Sequence, residues 1–185
     1  RCVPPESEFS HYRMADASLL SNVSIPKRQI HRIRAEAPPN VAAGEYEGTM
    51  LRIFGESDSA PFPRFDLILL GMGPDGHTAS LFPGSTALKE TKRWVVANDV
   101  DKFKDTQTPW QRVTMTYPVL NAAAHVLFMV AGADKAGALF EVLHGDPNPD
   151  LYPSQNVRPA GGKLTWLLDP AAAQKLPPSI ARGRV

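Results

Sequence analysis

Apolar residues in the first third of the chain recur at the spacing of helix faces. Residues 10–23 carry four of them near one face, and Pro26 ends the pattern. A second helix is predicted from Asn40, a suitable capping residue, to about Phe54. Its buried side is expected to carry Tyr46, Met50, Leu51 and Phe54. Between the two helices, isoleucines alternate imperfectly with charged residues and predict a short strand over residues 29–34.

From residue 65 onward the pattern changes to short apolar runs of strand length. The run over 65–70 reads F-D-L-I-L-L and stops at Gly71, as a strand covered on both faces does. Further strands are predicted over 94–97, 113–116, 126–130 and 163–168. The clearest intervening helix spans 133–143 with Gly145 as its stop, and a last helix is expected over 170–175. This alternation predicts an α/β fold with a mostly parallel sheet.

Composition narrows the class of partner. Of the 185 residues 43% are apolar, and 20 Lys+Arg oppose 19 Asp+Glu, for a net charge of +1. That length suits a single domain, expected over residues 1–176, with a loop over 57–63 and a tail over 177–185. Balanced charge leaves no electrostatic footprint for nucleic acid or an anionic membrane, and no apolar run approaches the roughly 18 residues of a membrane span. We therefore expect a small-molecule partner, with no nucleic acid and no membrane.

Cys2 is the only cysteine in the chain. An intrachain disulfide and a cage of thiolates around a metal are therefore both excluded. This cysteine usage favours a reducing, cytoplasmic location. The sequence opens at Arg1 without a methionine, so its true start is expected to lie elsewhere.

The segment most suited to chemistry follows the first apolar strand. Residues 71–83 read G-M-G-P-D-G-H-T-A-S-L-F-P, and ligands of open α/β sheets bind at the carboxyl ends of strands. Its glycines let the backbone approach a ligand and turn N–H groups toward an anion. These glycines are Gly71, Gly73 and Gly76. Asp75 and His77 can form a pair in which the carboxylate orients an imidazole that accepts a proton at neutral pH without a metal.

The same glycines satisfy G-x-G-x-x-G, the spacing of dinucleotide-binding loops. Asp99 even lies near the distance expected of a ribose-binding acid. Two features argue against this interpretation. Pro74 interrupts the glycine turn, and Pro83 with Gly84 ends any following helix within about two turns.

Residues 71–83 resemble the signature of the 6-phosphogluconolactonases. Other segments that fall in the family's order are Arg1–Pro4, Tyr12–Met14, Gln111–Thr116, Pro118–Asn121, Gly132–Ala136, Val157–Pro159 and Leu164–Asp169. Together they extend over nearly the whole chain to about residue 176. Family proteins normally begin with a further strand and helix carrying a Ser-Gly-Gly-Ser-Thr-like loop, so we expect this chain to be truncated at its N-terminus.

The resemblance implies a three-layer α/β fold, with helices flanking a mostly parallel sheet, shared with glucosamine-6-phosphate isomerases and ribose-5-phosphate isomerases. It also implies hydrolysis of 6-phospho-D-glucono-1,5-lactone to 6-phospho-D-gluconate, a step of the oxidative pentose phosphate pathway. His77 would be the general base that activates water, with Asp75 beside it and backbone N–H groups over 71–76 stabilising the oxyanion. A cyclic ester is reactive, so neither a metal nor a cofactor is expected.

Basic residues are needed for the substrate phosphate. Arg1, Arg112 and Lys135 match basic positions of the family's motifs and are candidates to bind it. With a net charge of only +1, attraction to a dianion must come from a local cluster. We therefore expect Arg112, Lys135 and also Arg158 to converge near the glycine loop, where a planar guanidinium can bind two phosphate oxygens at once.

Two alternative functions remain open. A glucosamine-6-phosphate deaminase or isomerase has a similar Gly-Asp-Gly-His loop but continues toward a second acid, and residues 79–83 contain none. A non-catalytic sugar-phosphate sensor could share the fold, because fold alone does not decide function. The presence of both Asp75 and His77 favours an enzyme, since a sensor has no use for a base.

Overall fold

The computed structural model describes residues 1–55 and 61–178, so part of the predicted loop over 57–63 and most of the tail over 177–185 lie outside the described residues. The chain divides into two compact units. The first unit comprises Arg1–Pro61 and Arg93–Thr114, and the second comprises Phe62–Lys92 and Met115–Val185. The single domain over residues 1–176 stays a prediction.

The described residues form four α-helices, five strands and several short 3-10 helices. The α-helices are α1 (His11–Ser18), α2 (Pro39–Phe54), α3 (Tyr117–Ala122) and α4 (Ala136–His144). The strands are β1 (Ile68–Leu70), β2 (Val95–Asp99), β3 (Gln111–Met115), β4 (His125–Val130) and β5 (Lys163–Leu168). The 3-10 helices are Leu20–Asn22, Lys27–Gln29, Thr86–Lys89, Asp101–Phe103, Ala133–Lys135, Pro153–Asn156 and Ala172–Lys175. The predicted α/β class is confirmed.

Helix α2 organises the first unit by packing against β2. Glu47 on α2 accepts the backbone N–H of Trp94 at 3.1 Å, which fixes the start of that strand. Asn40 was the wrong cap, because Pro38 is the capping residue and Pro39, with its preset φ, begins the helix. Phe54 was also wrongly assigned to the buried side, since it ends the helix 39% exposed.

The predicted strand over residues 29–34 is wrong. Lys27–Gln29 forms a 3-10 turn, and residues 30–34 belong to no strand. The charged side chains there are used locally instead. Arg32 makes a two-pronged pair with Glu36, at 2.7 and 2.8 Å, which lowers the pKa of that carboxyl to about 2.

A parallel three-stranded sheet, in the order β1-β4-β5, organises the second unit. Its register aligns Leu70 with Phe128 and Phe128 with Trp166. Phe128 is fully buried on the central strand, and its ring stacks on that of Trp166 at 3.9 Å between centroids. The mostly parallel sheet is confirmed, although β2 and β3 pair separately as a two-stranded sheet rather than joining it.

One face of the parallel sheet is exposed, contrary to the prediction that the first apolar run is covered on both sides. Leu69, Met129 and Leu167 occupy this face and are each exposed by about half or more. Strand β1 is also shorter than the apolar run, because only residues 68–70 pair with β4. Its apolar sequence did not distinguish the buried side chains from the exposed ones.

The end of the second unit follows the predicted helices with two changes. The helix predicted over 133–143 begins only at Ala136, because Ala133–Lys135 is a 3-10 turn. Helix α4 ends at His144 with Gly145 as its cap, as expected. The helix predicted over 170–175 is instead a 3-10 turn, Ala172–Lys175, and the Asp169 carboxylate accepts the N–H of Ala172 at 2.7 Å. None of the helices in the described residues has the length and hydropathy to span a membrane.

Replacing Phe128 with Ala tests the core of the parallel sheet. We expect the free energy of unfolding, measured by urea titration, to fall by about 3–5 kcal/mol because the cavity lies in the centre of the sheet. Leu151→Ala is the control, since Leu151 is half exposed in the same unit and should change the value by about 0.5 kcal/mol or less. Equal losses in the two variants would contradict the assignment of the core.

Candidate active site

Residues 71–83 form a compact loop at the carboxyl end of β1. The hydroxyl of the buried Thr78 donates to the carbonyl of Gly71 at 2.8 Å, and the N–H of Leu81 donates back to Thr78. No α-helix occurs between β1 and α3, a stretch that the structure describes throughout. The dinucleotide interpretation therefore lacks the crossover helix whose N-terminus would bind a pyrophosphate.

The loop brings Asp75 and His77 together. Nδ1 of His77 lies 2.5 Å from Oδ1 of Asp75, and the same oxygen accepts the backbone N–H of His77 at 3.2 Å. An ionised carboxylate can only accept hydrogen bonds, so in the neutral imidazole Nδ1 carries the proton and Nε2 keeps the lone pair. Asp75 both shapes the turn and orients the imidazole, and Nε2 is the atom that can take a proton from a reactant.

Phe82 covers one face of the imidazole. The two rings stack with centroids 4.0 Å apart and planes inclined by 22°. Phe82 is buried, whereas the side chain of His77 is about one-quarter exposed to solvent. The imidazole is therefore packed on one side and accessible on another.

The absence of side chains at Gly73 and Gly76 makes this arrangement possible. A Cβ atom at position 73 would overlap Nδ1 and Cε1 of His77 and lie 2.8 Å from Oδ1 of Asp75. At Gly76 the backbone has φ of +77°, and a Cβ atom would lie 2.9 Å from the ring of Tyr152. Position 73 is thus constrained by the imidazole itself, and position 76 by backbone conformation and Tyr152.

The N–H groups of Gly73 and Gly76 form hydrogen bonds within the loop. The N–H of Gly73 donates to the carbonyl of His77 at 2.9 Å, and the N–H of Gly76 donates to the carbonyl of Gly73 at 3.0 Å. These two donors are occupied in the described conformation. The predicted oxyanion contacts over residues 71–76 therefore cannot use them unless the loop opens.

Two of the predicted phosphate-binding residues belong to the first unit. The N–H of Cys2 donates to the carbonyl of Gln111 at 2.9 Å, which aligns Arg1 with the start of β3. Arg112 is 3% exposed on that strand. Burial, and then the neighbouring charge of Arg1, lower the pKa of Arg112 to about 10, so the guanidinium is still charged at neutral pH. Nε of Arg1 is itself buried without a hydrogen-bond partner among the described residues.

The other two predicted phosphate-binding residues belong to the second unit. Lys135 ends the 3-10 turn before α4, and its ammonium hydrogen-bonds to Asp134, which lowers the pKa of that carboxyl. Arg158 is exposed, and its Nε donates to the carbonyl of Gln155 at 2.9 Å. Their convergence with Arg112 stays a prediction.

Sequence reasoning missed Phe82 and Tyr152 as parts of this site. Both are aromatic residues that act here through their rings, so a search for acids, bases and nucleophiles passes over both. Their contribution is packing against His77 and Gly76. The described residues contain no cluster of three or more His, Cys, Asp or Glu side chains suited to a metal ion.

The chain belongs to the family of glucosamine-6-phosphate isomerases and 6-phosphogluconolactonases, whose model matches residues 1–166. It is 39% identical over 183 residues to a probable chloroplastic 6-phosphogluconolactonase of Oryza sativa subsp. indica, covering 95% of this chain and 55% of that protein. It is 43% identical over 176 residues to 6-phosphogluconolactonase of Homo sapiens, covering 95% of this chain and 65% of the relative. The solved 6-phosphogluconolactonase from Trypanosoma cruzi matches with a TM-score of 0.78 at 30% identity, over 95% of this chain and 69% of that one.

The relatives are longer than this chain, which matches only part of each of them. The chain spans about half the length of the rice relative and about two thirds of the human one. The resemblance inferred from residues 71–83 is confirmed at the level of the family, and so is the α/β fold.

Gly73→Ala tests the steric constraint on the base. The added methyl overlaps the imidazole, so the side-chain NMR signals of His77 should shift and its contact with Phe82 should weaken. Gly44→Ala is a matched control, because a Cβ atom at that helical position meets nothing within 4 Å. An unchanged His77 environment in Gly73→Ala would contradict the described loop.

Proposed function

We propose that this protein hydrolyses 6-phospho-D-glucono-1,5-lactone to 6-phospho-D-gluconate, with His77 as the general base. The observation that carries the proposal is the hydrogen bond from Nδ1 of His77 to Asp75, which leaves Nε2 as the proton acceptor. Relatives named 6-phosphogluconolactonase, at 39% and 43% identity, support this choice of substrate.

The reaction needs one base and one water molecule. Nε2 of His77 removes a proton from water while the water oxygen bonds to the lactone carbonyl carbon. The tetrahedral intermediate expels the ring oxygen, and the imidazolium returns its proton to that oxygen. The products are a carboxylic acid and a free hydroxyl group, which together contain the atoms of the lactone and the water. A well-placed base contributes about 10²- to 10⁴-fold to such a rate.

The phosphate would be bound by guanidinium groups. The buried guanidinium of Arg112 has the charge of the partly buried Arg1 as a neighbour, and two positive charges suit a dianion. Lys135 would have to give up its bond to Asp134, and Arg158 its bond to Gln155, to use all of their donors on phosphate. Arg1 and Arg112, the two candidates in the first unit, are the phosphate-binding residues that this proposal tests.

The deaminase alternative is the weaker one. Residues 79–83 supply no second acid to assist ring opening of an amino sugar. Testing both reactions on the same protein separates the two functions, because ammonia release from glucosamine 6-phosphate would favour the deaminase.

We include a cytoplasmic location in the proposal, supported by the single cysteine, although rice relatives are named chloroplastic.

His77→Ala tests the base. We expect kcat for the phosphorylated lactone to fall at least about 10²-fold with KM nearly unchanged, because the base acts in the transition state. His144→Ala is the control, since His144 is exposed at the end of α4 and should leave kcat unaltered. Near wild-type turnover in His77→Ala would refute the assignment.

Arg112→Ala tests the phosphate site. The variant should have a strongly raised KM for the phosphorylated lactone, while its slow hydrolysis of unphosphorylated gluconolactone scarcely changes. The second substrate also verifies that the variant is folded, which matters because Arg112 is buried. Arg52→Ala, which removes an exposed arginine of α2, should leave both KM values unchanged. Equal losses with both substrates would argue against phosphate binding.

A further inference from the structure

A serine far along the sequence holds the peptide that precedes the base. Both the hydroxyl and the backbone N–H of Ser154 donate to the carbonyl of Gly76, at 2.8 and 3.0 Å. Ser154 is 1% exposed, so these bonds are shielded from water. The carbonyl of Gly76 therefore has two donors, supplied by a segment 78 residues away.

This carbonyl belongs to the peptide unit whose nitrogen is that of His77. The N–H of the same unit donates to Oδ1 of Asp75 at 3.2 Å. A peptide unit is planar, so holding its oxygen and its N–H fixes the orientation of the whole plane and of the Cα atom of His77. Ser154 and Asp75 thus hold opposite sides of one peptide.

Gly76 is the position at which the backbone needs this restraint. Its φ of +77° is accessible to glycine, but glycine also populates negative φ values readily. Rotation of the peptide between Gly76 and His77 would turn the N–H away from Asp75 and change the direction of the imidazole. A glycine offers no side chain to resist that rotation, and Ser154 supplies the resistance instead.

The segment that carries Ser154 is itself anchored. The hydroxyl of the buried Tyr117 on α3 donates to the carbonyl of Pro153 at 2.9 Å. The side chain of Gln155 donates to the carbonyl of Glu141 on α4 at 2.8 Å and accepts the N–H of Asn148 at 2.6 Å. The 3-10 turn Pro153–Asn156 is therefore tied to two helices of the second unit.

We propose that Ser154 is a positioning residue for His77, acting through the carbonyl of Gly76. The proposal rests on the function proposed above, in which His77 is the base. Ser154 touches no reacting atom. Its effect is to keep Nε2 aligned with the water, so its loss lowers kcat and leaves substrate binding intact.

Three variants of the complete protein test the proposal. Ser154→Ala removes the hydroxyl donor, and kcat should fall about tenfold at unchanged KM, a loss of the order expected for a misaligned base. Ser154→Thr keeps the hydroxyl and should restore kcat to within about twofold. Val157→Ala loosens the same buried segment without removing a bond to Gly76, so it should lower the melting temperature and leave kcat unchanged.

A second measurement separates this inference from the proposed function. Hydrogen exchange at the backbone N–H of His77 should accelerate in Ser154→Ala, but not in Ser154→Thr or Val157→Ala, and this readout requires no substrate. Absence of lactone hydrolysis by the wild-type protein would refute the proposed function alone. The positioning role would be overturned if the His77 N–H of Ser154→Ala exchanged at the wild-type rate. It would also be overturned if Val157→Ala accelerated that exchange as much as Ser154→Ala does.

Discussion

The imidazole of His77 occupies space that a side chain at position 73 would fill. Because Gly73 has no Cβ atom, the loop can fold back on itself, and the N–H of Gly73 donates to the carbonyl of His77. The imidazole of His77 then lies over the backbone of Gly73. That fold brings Nδ1 within 2.5 Å of Asp75 and places the ring against Phe82. The two contacts have different effects on the imidazole, since Asp75 fixes its tautomer and Phe82 blocks one face of its ring. Nε2 then remains as the basic atom, so the chemistry depends on a missing side chain.

The α/β class and the five strands of the described residues could be predicted from the sequence, whereas several boundaries, helix α3 and the division into two sheets could not. Periodicity located α2 and β5 well because each has a sustained pattern of one period. It failed at residues 29–34, where the deciding factor is whether a neighbouring strand is available, and that information is not local. It also failed for the faces of β1, because an unbroken apolar run does not distinguish exposed Leu69 from buried Leu70.

The pairing of Asp75 with His77 could be predicted, but the contacts around that pair could not. Asp75 and His77 lie two residues apart, so a local turn suffices to bring them together and the spacing reveals the pair. Ser154 meets the loop across 78 residues of sequence, and Phe82 contributes only a ring face. The contact of Ser154 arises from tertiary packing and carries no motif, so it is visible only once the chain is folded. Phe82 lies within residues 71–83, but an apolar ring gives no sign of the contact it makes.

Electrostatics links the neutral composition of the chain to the charge of the proposed substrate. A protein with a net charge of +1 exerts little long-range attraction on a dianion, so the attraction must be local. Burying Arg112 beside Arg1 has a cost, since burial and the like charge both lower the pKa of Arg112. A phosphate bound between the two guanidinium groups would remove that like-charge penalty and gain two-pronged hydrogen bonds. The like-charge penalty on Arg112 therefore fits the proposed role of the two arginines in binding an anion.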